Sequence, residues 1–202
     1  MTGKQHLIAG TGLGLLTYKC LPYLRDSIIL LADKADVIGF DNFINQHLNV
    51  FYFHANSGVI RILSFALFFV GLLLPDIDLS GSTISRLLHF YLPIGHRTWT
   101  HTIWILLLLF LCSFLTNSMP LLCLTLGYFY HLFCDSLSVC GVCWFYPISQ
   151  YRELGYGKKV KNNHFVSFYG SDFVTGYIWA FIIFFIGLFV VFFSKIQQFL
   201  LK

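Results

Sequence analysis

From Thr102 to Met119 the chain runs without a charged residue and is built mostly of Leu, Ile and Phe. Coiled as a helix, such a stretch spans nearly the ~30 Å hydrocarbon thickness of a bilayer. Val59–Pro75 and Phe173–Phe193 read the same way. Leu7–Leu21 is shorter, and its Gly10, Gly12 and Gly14 suit close helix contact in lipid. Pro120 begins a further apolar run to about Val139, where its missing N–H costs little at a helix start. Composition agrees: 57% of the 202 residues are hydrophobic and 11% charged. A soluble domain has roughly 45–50% apolar and about 25% charged residues. The sequence therefore predicts an all-α, polytopic transmembrane helical bundle of four to five membrane helices. It forms a single domain over 1–202, with the lipid bilayer as its first partner.

Two segments break this pattern. In 25–57 the apolar run Ser27–Ala32 is followed by Asp33, Lys34, Asp36 and Asp41, charges a span tolerates poorly. That region reads as an interfacial helix and loop, an insertion in the bundle. Residues 146–171 are polar, glycine-rich and basic, a loop long enough to carry function. The net charge is +4. Its densest cluster, Lys158, Lys159 and Lys161, suits anionic headgroups and is too sparse for nucleic acid. The start of the chain lacks a small-residue cleavage site behind its apolar stretch and reads as a retained helix. Six cysteines show no disulfide framework, and Cys140-x-x-Cys143 has no second half to make a zinc knuckle.

Alternating crossings put the polar exceptions together. The Val59–Pro75 span ends at Asp76 and Asp78. The Thr102–Met119 span starts just after His101. The next span returns with His131 and Asp135 near its end. If Leu7–Leu21 also crosses, His6 begins on the same face. Ionisable residues in membrane segments are costly, and each is a functional candidate. His131 and Asp135, four apart, share one helix face. Asp76 and Asp78 repel unless a cation or proton separates them. His96 and His101 are five apart, which turns them about 140° from each other on an ideal helix. His96 is therefore expected in a loop and His101 in a first helical turn. Arg97 beside them could hold an anionic group, or pair with Asp76 or Asp78. Imidazoles with carboxylates favour zinc, manganese or iron over calcium. The expected metal ligands are His6, Asp76, Asp78, His96, His101, His131 and Asp135, around one or two ions. Asp76, Asp78 and Arg97 are the candidate catalytic residues. His47, His54, His89 and His164 have no clear partners in the sequence.

Leu74-Pro75-Asp76-Ile77-Asp78, Gly95-His96-Arg97-Thr98-Trp99-Thr100-His101, Gly127-Tyr128-x-x-His131-x-x-x-Asp135 and Gly141-Val142 with Trp144-Phe145-Tyr146-Pro147 occur in this order. Together they resemble the YdjM-like family of bacterial inner-membrane, metal-dependent hydrolases, some of them LexA-regulated. Thr98 stands where that family usually has Gly, and Thr102 where it usually has Ser; neither change removes a ligand. Gly170-Ser171-Asp172 matches a late element of the pattern and adds Asp172 as a candidate. The resemblance implies a multi-pass protein of the bacterial inner membrane. It also implies metal-assisted hydrolysis of an ester or phosphoester, in a small-molecule or lipid substrate. Two alternatives stay open: a metal or ion transporter, and a non-catalytic protein with a structural metal. Lys and Arg are spread almost evenly over the two faces, so orientation rests on the Lys158 cluster, which favours a cytoplasmic site.

Overall fold

The computed structural model describes residues 3–34, 58–116, 118–136, 141–148 and 173–200. Every regular element among them is helical. Helix α1 spans Gly3–Lys34 and α2 spans Gly58–Leu73. A 3-10 turn, Leu74–Asp78, extends α2. The short α3 spans Thr83–Leu88, and a second 3-10 turn covers Trp99–His101. Then come α4, Ile103–Leu115, α5, Met119–Ser136, and α6, Phe173–Leu200.

Helix α1 differs from the expectation. It continues without a break through Arg25 and Asp26 to Lys34. The run Ser27–Ala32 is long enough to carry the helix across the two charges. At about 1.5 Å per residue the helix is nearly 48 Å long, more than the hydrocarbon core needs. The remainder of the expected insertion, 35–57, lies outside the described residues. So do Asp172, His47, His54, His164, Cys140 and the Lys158 cluster.

The molecule is turned inside out relative to a soluble protein. Its exposed surface includes Ile62 and Phe65 on α2, Leu107 and Leu111 on α4, and Phe185 and Phe189 on α6. Its buried residues include Gln5, His6, Asp76, Asp78, His101, His131 and Asp135. Lipid, rather than water, is the solvent that such a surface suits. One helix among the described residues, Gly58–Asp78 with its 3-10 end, is long and apolar enough to cross a membrane. Ile103–Leu115 and Ile178–Phe193 are shorter apolar helices.

Two glycines fix how α2 meets α5. A Cβ on Gly127 would collide with the Phe68 carbonyl oxygen, and one on Gly71 with the Leu124 carbonyl oxygen. Each helix therefore presents its bare backbone to the other, the close approach that small residues permit in membrane bundles. Helix α1 is seated against α6 by the same device: a Cβ on Gly12 would lie 2.5 Å from the Ile183 carbonyl oxygen. A small apolar core of Tyr128, Leu132, Val142 and Trp144 fills the space beside α4.

Candidate metal centre

The polar residues converge where α2, α5 and the start of α1 meet the two 3-10 turns. Asp76 and Asp78 ride the turn that begins at Pro75, where α2 gives way to tighter winding. His101 ends the turn that leads into α4. His131 and Asp135 share one face of α5, and His6 lies in the opening turns of α1. His6, His101, His131 and Asp135 are almost completely buried.

Four atoms form a compact quartet. Asp76 Oδ1 is 3.5 Å from His131 Nε2 and 3.8 Å from His101 Nε2. Asp135 Oδ2 is 3.6 Å from His101 Nε2 and 3.7 Å from His131 Nε2. Ligand atoms of an ion with bonds of about 2.1 Å stand roughly 3.4 Å apart, so these four contacts suit a cation, with His101, His131 and Asp135 forming one group that could hold it. His6 flanks the quartet: its Nε2 is 3.2 Å from Asp135 Oδ1, and its ring stacks on His131 with centroids 3.8 Å apart.

The imidazoles are oriented from behind. His131 Nδ1 is 2.8 Å from the Leu72 carbonyl oxygen. A carbonyl only accepts, so Nδ1 carries a proton and Nε2 is the atom left to face the carboxylates. His101 Nδ1 lies 3.0 Å from Thr100 Oγ1, whose hydroxyl donates to Asp78 Oδ2 at 2.5 Å. The Thr100 proton is committed to Asp78, so His101 Nδ1 is the donor in its own contact and Nε2 is left to face the carboxylates. Burial pushes the His101 pKa below its ordinary value, with Asp78 pulling the other way. His101 Nε2 and His131 Nε2 have no hydrogen-bond partner. Two buried imidazole nitrogens facing two carboxylates need a proton or a metal cation between them. The donor set therefore fits a divalent metal.

Asp78 occupies a different place from Asp76. Its Oδ1 is 2.7 Å from His96 Nδ1, and its Oδ2 accepts from the Arg97 backbone N–H at 3.1 Å as well as from Thr100. It sits behind the histidines and holds the loop in place. His96 is in the loop, as its spacing from His101 predicts, and is 35% exposed. It still groups with Asp76 and His101, while His6 groups with Asp76 and His131, and His101 with His131 and Asp135. The structure thus places six of the seven expected ligands in groups that could hold an ion and puts Asp78 behind them, against His96 and Thr100. Arg97 also reaches the cluster, by another route than expected. Its guanidinium lies 3.3 Å from Asp135 Oδ1 and donates to the Gly141 carbonyl at 3.3 Å, rather than pairing with Asp76 or Asp78. Its backbone, at a φ of 62°, spends the N–H on Asp78 and sends the side chain across to α5. The cluster holds three carboxylates and one guanidinium, an excess of negative charge that suits a divalent cation.

Thr100 and Tyr128 also serve the cluster, though sequence reasoning gave them no role. The Tyr128 hydroxyl donates to the Thr100 carbonyl, anchoring the turn that carries His101 to α5. The available signal was position: each lies within a motif, one beside His101 and the other beside Gly127. Thr100→Val is expected to weaken metal binding about tenfold, the lower end for losing a group that orients a ligand. Competitive titration with a chelating dye measures this, and unchanged affinity would detach Thr100 from the centre.

The family model described as YdjM inner membrane protein matches residues 1–199. The chain belongs to the YdjM inner membrane protein family. No curated protein and no solved structure matches it. Within this YdjM protein, the motifs acquire separate physical tasks. Gly127 allows α5 to touch α2, His131 and Asp135 face the cluster, and Gly141 turns at a φ of 63° with its carbonyl facing Arg97.

Proposed function

We propose that this YdjM protein is a multi-pass membrane hydrolase that cleaves an ester or phosphoester with the help of a divalent metal, zinc first and manganese or iron next. In this reading α1, α2, α4, α5 and α6 cross the bilayer, and the cluster lies at one membrane face. Asp76, His101, His131 and Asp135 hold the ion, with His6 beside them. Asp76, His96 and His101 offer the position for a second ion. The observation that carries the reading is the pair of unpartnered Nε2 atoms facing Asp76 and Asp135.

A divalent cation supplies Lewis acidity and lowers the pKa of water toward neutrality. The chain's own residues supply the remainder. Arg97 places positive charge beside Asp135, where an anionic phosphoester needs it. With Oδ1 of Asp76 facing His101 and His131, its other oxygen would be the one to take a proton from an attacking water. Asp78 fixes His96 through Nδ1, so Nε2 would serve a leaving group when no second ion takes that position. Partial exposure of His96 gives the cluster a side open to substrate, which favours a catalytic over a closed structural site.

Purified wild type in detergent is expected to retain near-stoichiometric metal, and Asp76→Ala to lose most of it. Elemental analysis reads both. Hydrolysis of model phosphodiesters should stop on chelation and return with metal. Full metal retention by Asp76→Ala would remove that residue from the ligands, and chelator-insensitive turnover would end the metal-hydrolase reading.

A further inference from the structure

Helix α1 lends the cluster His6, and the rest of the helix decides where that side chain stands. His6 is fully buried. Its ring stacks on His131, and its Nε2 is 3.2 Å from Asp135 Oδ1. Neither ring nitrogen has a hydrogen-bond partner among the described residues. Buried polar atoms without a partner are costly. His6, Asp76 and His131 together offer three ligand atoms to an ion.

One face of α1 holds His6 in place. Gly3, His6, Gly10, Gly14 and Thr17 fall within about 80° of one another around a helix of 3.6 residues per turn. Gly3 comes up to α3, where an added Cβ would lie 2.9 Å from Thr83 Oγ1. A Cβ on Gly10 would run into the side chain of Leu72, and one on Gly14 would lie 2.9 Å from Phe68 Cζ. Leu72 is also the residue whose carbonyl receives His131 Nδ1.

Glycines let helices approach closely, but bare backbone offers little to interlock, so sliding or turning of α1 along this face is weakly opposed. The face ends in a directional contact. The hydroxyls of Thr17 and Tyr130 are hydrogen-bonded to each other, joining α1 to α5. Tyr130 is buried, and its ring meets Phe68 edge-on at 6.1 Å. Tyr130 also precedes His131, so the bond ties α1 to the neighbour of a quartet residue.

We infer that Thr17 and Tyr130 are positioning residues of the metal centre. Their bond pins the register of α1 and thereby sets His6, about 16 Å away along the helix, against Asp135 and His131 as a further ligand. The inference rests on the proposed metal centre. Without the bond α1 shifts, His6 leaves its place, and the quartet keeps the ion more weakly.

Zinc affinity of the full chain in detergent, measured by competition with a chelating dye, tests this. His6→Ala is expected to weaken binding about tenfold, since the quartet stays intact. Thr17→Val and Tyr130→Phe each weaken it about threefold, the scale of one interhelical side-chain bond in lipid. Thr17→Ser keeps the hydroxyl and binds zinc as wild type does. With cobalt in place of zinc, the d–d absorption of Tyr130→Phe moves toward that of His6→Ala. In a His6→Ala background neither Thr17→Val nor Tyr130→Phe lowers affinity further, because the path through His6 is already cut. Unchanged affinity in both single variants, an equal loss with His6 absent, or wild-type affinity in His6→Ala would overturn the assignment. Wild type that holds no zinc would instead strike the metal centre beneath it.

Discussion

His131→Asn is expected to empty the metal centre while leaving the helices assembled. The asparagine amide nitrogen takes up nearly the position of Nδ1 and can still donate to the Leu72 carbonyl, now 2.8 Å from the imidazole. What disappears is Nε2, the atom 3.5 Å from Asp76 and 3.7 Å from Asp135. Groups that merely orient a metal ligand typically contribute about 10–100-fold in affinity, and removal of the ligand itself costs at least the upper figure. His131→Ala should lose the metal as well. It also leaves the Leu72 carbonyl without its donor in a buried place, a further cost of about 1–3 kcal/mol. Metal content and gel filtration in detergent separate the two effects. An Asn variant that keeps its metal would exclude His131 as a ligand.

The second large effect comes from a methyl group. Gly127→Ala is expected to destabilise the protein by about 3 kcal/mol, the upper end of ordinary overpacking. The added Cβ strikes the Phe68 carbonyl, and it also comes within 3.0 Å of Leu72 N. Both are backbone atoms, so no side-chain rotation relieves the clash and α5 must move away from α2. That motion carries His131 from Leu72 and Asp76, and metal affinity falls with stability. Gly81→Ala is the control: nothing lies within 4 Å of its added Cβ. Thermal unfolding in detergent with and without added metal measures the difference. Equal melting of Gly127→Ala and wild type would mean that the two helices are free to part.

Much of the site could be read before the fold. Counting crossings put Asp76, His101, His131 and Asp135 on one face, because a span that enters and leaves fixes where its ends lie. His131 and Asp135 followed from helical periodicity alone. Other features depend on tertiary geometry. Asp76 and Asp78 look equivalent in the chain, yet the 3-10 turn aims one at the quartet and the other at Thr100 and His96. Arg97 was expected beside Asp76 or Asp78, its neighbours in chain order. Its left-handed backbone sends it to Asp135 on another helix. Helix α1 continues past Arg25 and Asp26 because single charges do not end a helix, although they argue against a lipid-buried one.

The quartet draws on residues 76, 101, 131 and 135, which belong to α5 and to the turns that follow α2 and precede α4. No two adjacent helices alone can complete it. During synthesis the carboxylate of Asp76 must wait for the returning arm that brings His131 and Asp135. Completion of the quartet thus becomes a late event in biogenesis, one that a chain truncated before residue 135 cannot reach.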